Sequence, residues 1–273
     1  MQLSEKVSRF NDLYLYRLPG GAGRTAPRVP INLHKVTIGA VVLALMWQAG
    51  DFTLAAWLYL ALHGSYGLFW LAKDVAFPDP AWQAPQSLAS AAAVFVFPLG
   101  LYYLAPLVMF TPLGRAVPGG WGTTAALPAP VAAAAVACYA AGVFLHFGAD
   151  AQKHFVLAHR VPRRLITDGF FAATRNPNYL GEILIYSSFC LVAQHGLPWA
   201  ACLLVWLQVF LPNMLRKERS MARHPEHAAW VARTGFLLPS LPTLFRALPE
   251  AFRTPRGGGP GREELPPGPS SRR

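Results

Sequence analysis

The nine residues 174–182, "TRNPNYLGE", set a guanidinium, two amides, a phenol and a carboxylate against the apolar run "ILIYSSFCLVA". A polar group taken into apolar surroundings without a partner costs about 2–7 kcal/mol, so a ligand or an internal partner must offset these. Asn176 and Pro177 are residue types that open helices, as N-cap and first helical residue. A helix starting there puts Asn178, Glu182 and Tyr186 at i, i+4 and i+8, on one face. Its N-terminus offers free N–H groups and partial positive charge, with Arg175 directly before it, so an anion such as phosphate would be received there. Glu182 would then accept hydrogen bonds from an amide or a ribose hydroxyl just beneath. The competing reading is structural: Arg175 snorkels to headgroups, Asn176 only caps, and Glu182 pairs with a nearby Lys or Arg.

Two other stretches repeat the pattern. Tyr59, His63, Tyr66, Trp70 and Asp74 recur at helical spacing, as do Tyr139, Gly142, His146, Asp150 and Lys153. Two polar stripes on otherwise apolar helices imply a lined cavity, and ionisable residues inside a membrane are functional candidates by default. His146, Asp150 and His154, with His224 and His227 later, allow a metal site to be drawn, but the histidines are too sparse and none is expected. Neither a GxGxxG nor a GxxxxGK[ST] loop follows a strand pattern, and there is no GxSxG elbow, so a Rossmann-bound dinucleotide and Ser-dependent hydrolysis lack support.

The elements that must carry these groups follow from composition. Of 273 residues, 53% are hydrophobic and only 14% charged, and the intervals 52–72, 80–114, 116–149 and 183–215 contain no Lys, Arg, Asp or Glu. At about 1.5 Å per residue each can cross a bilayer core, and the last can form a short hairpin. The pattern predicts an all-α polytopic transmembrane bundle of about six spans, at 36–50, 52–72, 88–110, 129–149, 178–194 and 197–215. His195-Gly196-Leu197-Pro198 is read as the turn of the last pair.

The formal charge of +11 is concentrated before the first span, between the fourth and fifth, and after the sixth. The positive-inside rule makes that common side cytosolic, with both termini there. The cations flank apolar spans instead of forming a basic domain, so lipid headgroups or a phosphate-bearing cofactor, and not nucleic acid, are the expected partners. Cys138, Cys190 and Cys202 read as small buried hydrophobes. The first thirty residues lack the apolar core of a cleavable signal peptide, and the Pro- and Gly-rich stretch from Arg253 reads as disordered. Four regions result: a cytosolic segment 1–35, N-terminal spans 36–127 on the substrate side, a C-terminal transmembrane domain 128–245, and a tail 246–273. An endoplasmic reticulum or other intracellular membrane, or a bacterial inner membrane, would suit such a chain.

"GADAQKHFVLAH", "GFFAATRNPNYLGEILIY" and "RKERSMARHPEHAAWVARTGFLLP" together resemble the C-terminal half of the steroid 5-alpha-reductase and sterol reductase superfamily, over about residues 145–240. The resemblance implies a multi-span membrane enzyme with a cytosol-facing NADPH pocket among its later helices, reducing a carbon–carbon double bond of a lipid. By motif position it makes Asp150, Lys153, Arg175, Asn178, Tyr179 and Glu182 candidates for the cofactor pocket. Arg163 and Arg164 join them because guanidinium binds phosphate bidentately. Reduction also needs a proton donor, for which Tyr186, Tyr66 and His63 are the candidates. "RNPNYLG" with Glu218 also resembles the isoprenylcysteine methyltransferases, related in fold, which implies S-adenosylmethionine as the alternative cofactor. A non-catalytic membrane protein or transporter is the third reading. Residues 62–83 do not match the substrate-binding half of steroid reductases, which leaves the lipid open between steroid, other isoprenoid and acyl chain. Lys73-Asp74 and the turn from Phe77 to Pro80 are expected to close over the cofactor from the cytosolic side.

Overall fold

The computed structural model describes residues 2–14, 18–19, 23, 25–121, 127–162, 164–243 and 245. Arg163 and the tail 246–273 lie outside the described residues. The chain runs through α1 (Gln2–Asp12), α2 (Arg28–Ala49), α3 (Leu54–Ala76), α4 (Leu88–Val96), α5 (Leu104–Phe110), α6 (Leu113–Ala116), α7 (Ala129–His159), α8 (Pro177–Ala193), α9 (Gly196–Val205), α10 (Leu211–Met221) and α11 (His227–Arg233). Among the described residues there are helices and isolated bridges but no strands.

Five stretches are long and apolar enough to cross a bilayer: α2, α3, the stretch Leu88–Phe110, α7, and the continuous stretch Gly196–Met221. The remaining expected span, the fifth, is α8, whose 17 residues extend about 25 Å. The protein is a multi-pass integral membrane helical bundle. Its core is the interior seam where Ile38, Val42, Tyr59, Tyr66, Ile185 and Phe189 meet.

Several expected boundaries move. The first span begins at Arg28, so Lys35 sits two turns inside α2 and is 3% exposed. The fourth runs to His159, which makes Asp150, Lys153 and His154 helical. The third is not one helix. Pro98 has no N–H to continue the ladder of α4, Phe97 is extended, and a 3₁₀ segment (Leu99–Tyr103) leads into α5. The phenol of Tyr14 donates to the carbonyls of Ala93 and, at 2.8 Å, Phe97, satisfying backbone groups that hydrocarbon cannot. The turn of the last pair comes one residue early: Gln194 takes the left-handed conformation at φ 49° and the His195 ring accepts from Leu197 N–H at 3.0 Å, so Gly196 and Pro198 lie inside α9.

The most extensive helix contact is α7 on α8. A Cβ on Gly142 would come 2.6 Å from the Gly181 carbonyl oxygen, and one on Gly181 would come 2.4 Å from the His146 nitrogen. Small residues let backbones approach this closely in membranes, where packing, not the hydrophobic effect, holds helices together. Gly181→Ala is therefore expected to destabilise by about 1–3 kcal/mol through forced separation of the helices. Thermal melting in detergent checks this against Gly64→Ala, where the added methyl meets nothing closer than 3.9 Å and stability should be unchanged.

Candidate functional site

The bundle encloses a cavity of about 1260 Å³ including its open mouth, walled by α1, α2, α3, the broken third span, α7, α8 and the stretch around α10. Six predicted site residues line it: Asp150, Lys153, Asn178, Tyr179, Glu182 and Tyr186. They arrive from two helices because the glycine contact holds α7 and α8 face to face.

Charge gathers at one end. Lys73 of α3 forms a buried ion pair with Asp150 of α7. Lys153 pairs with Asp79 at 3.2 Å where both are partly exposed. Lys217 of α10 lies in the same wall, donating to the Arg175 carbonyl at 3.2 Å. The turn after α3 lies at this end: Asp79 and, just after it, Trp82 line the cavity, and the Pro78 carbonyl meets the His154 ring at 3.3 Å. The residue that enters is Lys73; Asp74 instead accepts from Asn32 at 2.8 Å.

Deeper, His146 Nδ1 contacts the Asn178 carbonyl at 3.0 Å. A carbonyl can only accept, so Nδ1 carries the proton and Nε2 is left as an acceptor. That Nε2 and Asn178 Oδ1 are buried without a hydrogen-bond partner in a structure that carries no water or ligand. Glu182 accepts from the Tyr66 phenol at 3.3 Å. At the bottom, Tyr186 stacks on Tyr102 with ring centroids 3.7 Å apart and accepts from Lys35 at 2.8 Å.

The other predicted residues lie elsewhere. Tyr66 is fully buried behind the lining and donates its phenol to Glu182. His63 is bonded to Tyr59 at 2.9 Å and stacks on Phe189 at 4.1 Å, behind the wall. Arg175 turns away: its guanidinium pairs with Glu218 at 3.0 Å, donates to the Thr234 carbonyl at 2.8 Å and lies over Phe236. Asn176 sits at the N-cap position without capping, because its amide donates to the Phe236 carbonyl at 2.8 Å. Arg164 is exposed and outside the lining.

Lys35, Tyr102 and Lys217 were not singled out from sequence as site residues. Lys35 carried a usable signal, a cation beside an apolar run, which a span boundary drawn one residue later hid. Tyr102 carried none, because only the break after α4 turns it inward.

The Lys73–Asp150 pair should respond as a unit. Asp150→Asn or Lys73→Met alone strands a buried charge and is expected to cost about 3–5 kcal/mol, while the double change to apolar residues costs less than either. Melting temperatures of the three variants test this.

The sequence profile of a family described as protein of unknown function, DUF1295, matches residues 79–234. No curated protein matches the chain. The matched segment covers more than half of the chain and contains Asp79, α7, α8 and Lys217, and on that match the protein belongs to the DUF1295 family.

Proposed function

We propose that the protein is a membrane oxidoreductase that binds NADPH in this cavity and reduces a carbon–carbon double bond of a lipid. The observation that carries the reading is the grading of one cavity from lysines at its mouth to paired phenols at its base. Lys153 and Lys217, with Lys73 behind them, suit phosphate oxygens. The orphaned acceptors Asn178 Oδ1 and His146 Nε2, with Glu182, suit carboxamide and ribose donors, so the donor set fits the cofactor. The cofactor supplies hydride when bound.

The chain's own residues do the rest. Val94, Leu99, Val205 and Phe210 give the cavity apolar walls for a lipid. Tyr186 is the proton donor this geometry favours over Tyr66 and His63, because it lines the cavity while the Tyr66 hydroxyl is spent on Glu182 and His63 lies behind the wall against Tyr59. Arg175 and Asn176 act from behind, tying the start of α8 to the segment after α11. With an even number of spans, the mouth and both termini face the cytosol.

Thermal melting of the purified protein with NADPH, NADH and S-adenosylmethionine tests the cofactor. NADPH near a hundredfold over its Kd should stabilise by about 2.7 kcal/mol, and Glu182→Ala should remove the shift. Stabilisation by S-adenosylmethionine alone would transfer the cavity to a methyltransferase, and no shift with any of the three would support the non-catalytic reading. Tyr186→Phe is expected to keep the NADPH shift and lower turnover of a conjugated lipid by about 10²–10⁴-fold; a loss below tenfold would remove Tyr186 as donor.

A further inference from the structure

The charge most deeply placed in the cavity is the Lys35 ammonium, which no motif above accounts for. It is 3% exposed, well inside a spanning helix. Among the described residues it has no carboxylate within ion-pairing distance. Instead it sits over the Tyr66 ring at 4.1 Å and the Trp70 ring at 5.1 Å, and its one hydrogen bond to a side chain runs to the Tyr186 phenol at 2.8 Å. Aromatic faces lower the cost of a desolvated cation but do not neutralise it. A methionine or leucine would fill the same volume more cheaply, so the charge needs another reason to be there.

We infer that Lys35 is the positioning residue that makes Tyr186 a proton donor, a role that rests on the reductase reading above. An ammonium can only donate, so the Tyr186 oxygen must accept from it and its own proton is left for another acceptor. When that proton passes to the substrate, the O–H electron pair stays on Tyr186 as a phenolate 2.8 Å from a positive charge. Bound NADPH would supply the hydride; Tyr186 regains a proton from Lys35, and water entering the cavity reprotonates the lysine. The groups facing Tyr186 are Lys35 from α2, His63 and Tyr66 from α3, Tyr102 from the broken third span, Cys202 from α9 and Glu182 on its own helix. Lys35 is the cation among them; the nearest carboxylate, Glu182, opposes phenolate formation. Removing Lys35 therefore takes away the one positive charge facing the ionised phenol and leaves Glu182 opposing it.

The test places a fluorinated tyrosine, whose phenol ionises at lower pH than tyrosine's, at position 186 and follows its ¹⁹F resonance against pH in the full-length protein. Lys35→Met should raise the titration midpoint by about one pH unit or more, and Lys35→Arg, which keeps the charge, should restore most of the difference. Unchanged melting temperatures establish that the fold is intact, a condition a merely structural lysine would also meet without moving the midpoint. Should Lys35→Met fail to fold, Lys35→Gln, which keeps a donor and loses the charge, makes the same comparison. A midpoint that does not move, or a phenol that stays protonated in the wild type over the whole range in which the protein is folded, overturns the assignment. The NADPH shift, measured on the same samples, separates the two ideas: its absence in the wild type sinks the reductase reading, whereas its presence with an unmoved midpoint sinks the role of Lys35 alone.

Discussion

The structure depends on the close approach of α7 and α8. With hydrogen at the α-carbons of Gly142 and Gly181, the two backbones meet where any side chain would hold them apart. Everything chemical about the cavity inherits that spacing. His146 lies one turn beyond Gly142 on α7, so its ring reaches the Asn178 carbonyl at the first turn of α8. The next turn of α7 brings Asp150 to the same side, and on α8 the residue after Gly181 is Glu182. A helix pair parted by a methyl group would carry the same residues without presenting them to one space.

A second constraint is the hydrocarbon around the bundle, which offers no hydrogen bonds to a stranded polar group. The chain answers it locally wherever the ladder fails. Tyr14 serves the Phe97 carbonyl at the break after α4, and the His195 ring receives the Leu197 N–H at the start of α9. Residues 173–176 are bound to the segment 234–237 by hydrogen bonds: Arg175 N–H to the Gly235 carbonyl, Gly235 N–H to the Ala173 carbonyl, and side-chain bonds from Thr174, Arg175 and Asn176 to Leu237, Thr234 and Phe236. The motif that first suggested an anion site is thus divided. Its first three residues lock the helix start in place, and its later residues, Asn178, Tyr179 and Glu182, face the cavity.

That division explains why the charges of the cavity come from so many elements. Lys35, Lys73, Lys153 and Lys217 belong to four different helices, and the carboxylates Asp79, Asp150 and Glu182 to a turn and two helices. Charges from one helix could not surround a ligand. Convergence from several also lets each pair hold two helices together, as Lys73 and Asp150 do for α3 and α7.

Much of this was legible in the residues. Charge-free intervals of bilayer length dictate spanning helices, because no other element closes its own hydrogen bonds in lipid. Helical spacing alone put Asn178, Glu182 and Tyr186 on one face, and His146 and Asp150 on another. What periodicity cannot supply is which faces meet, and at what depth. A span boundary drawn one residue after Lys35 removed it from the membrane, since an apolar run marks where a helix is greasy and not where it begins. Arg175 and Asn176 had the right types for a phosphate and a cap, yet their partners lie about sixty residues away, in a segment that only the folded chain brings alongside. The break that turns Tyr102 toward Tyr186 depends on Pro98 and on a phenol from the N-terminal segment. The sequence determined the helices and the polar faces they carry; tertiary structure alone decided which of those faces share a cavity, because that rests on long-range contacts that no local spacing encodes.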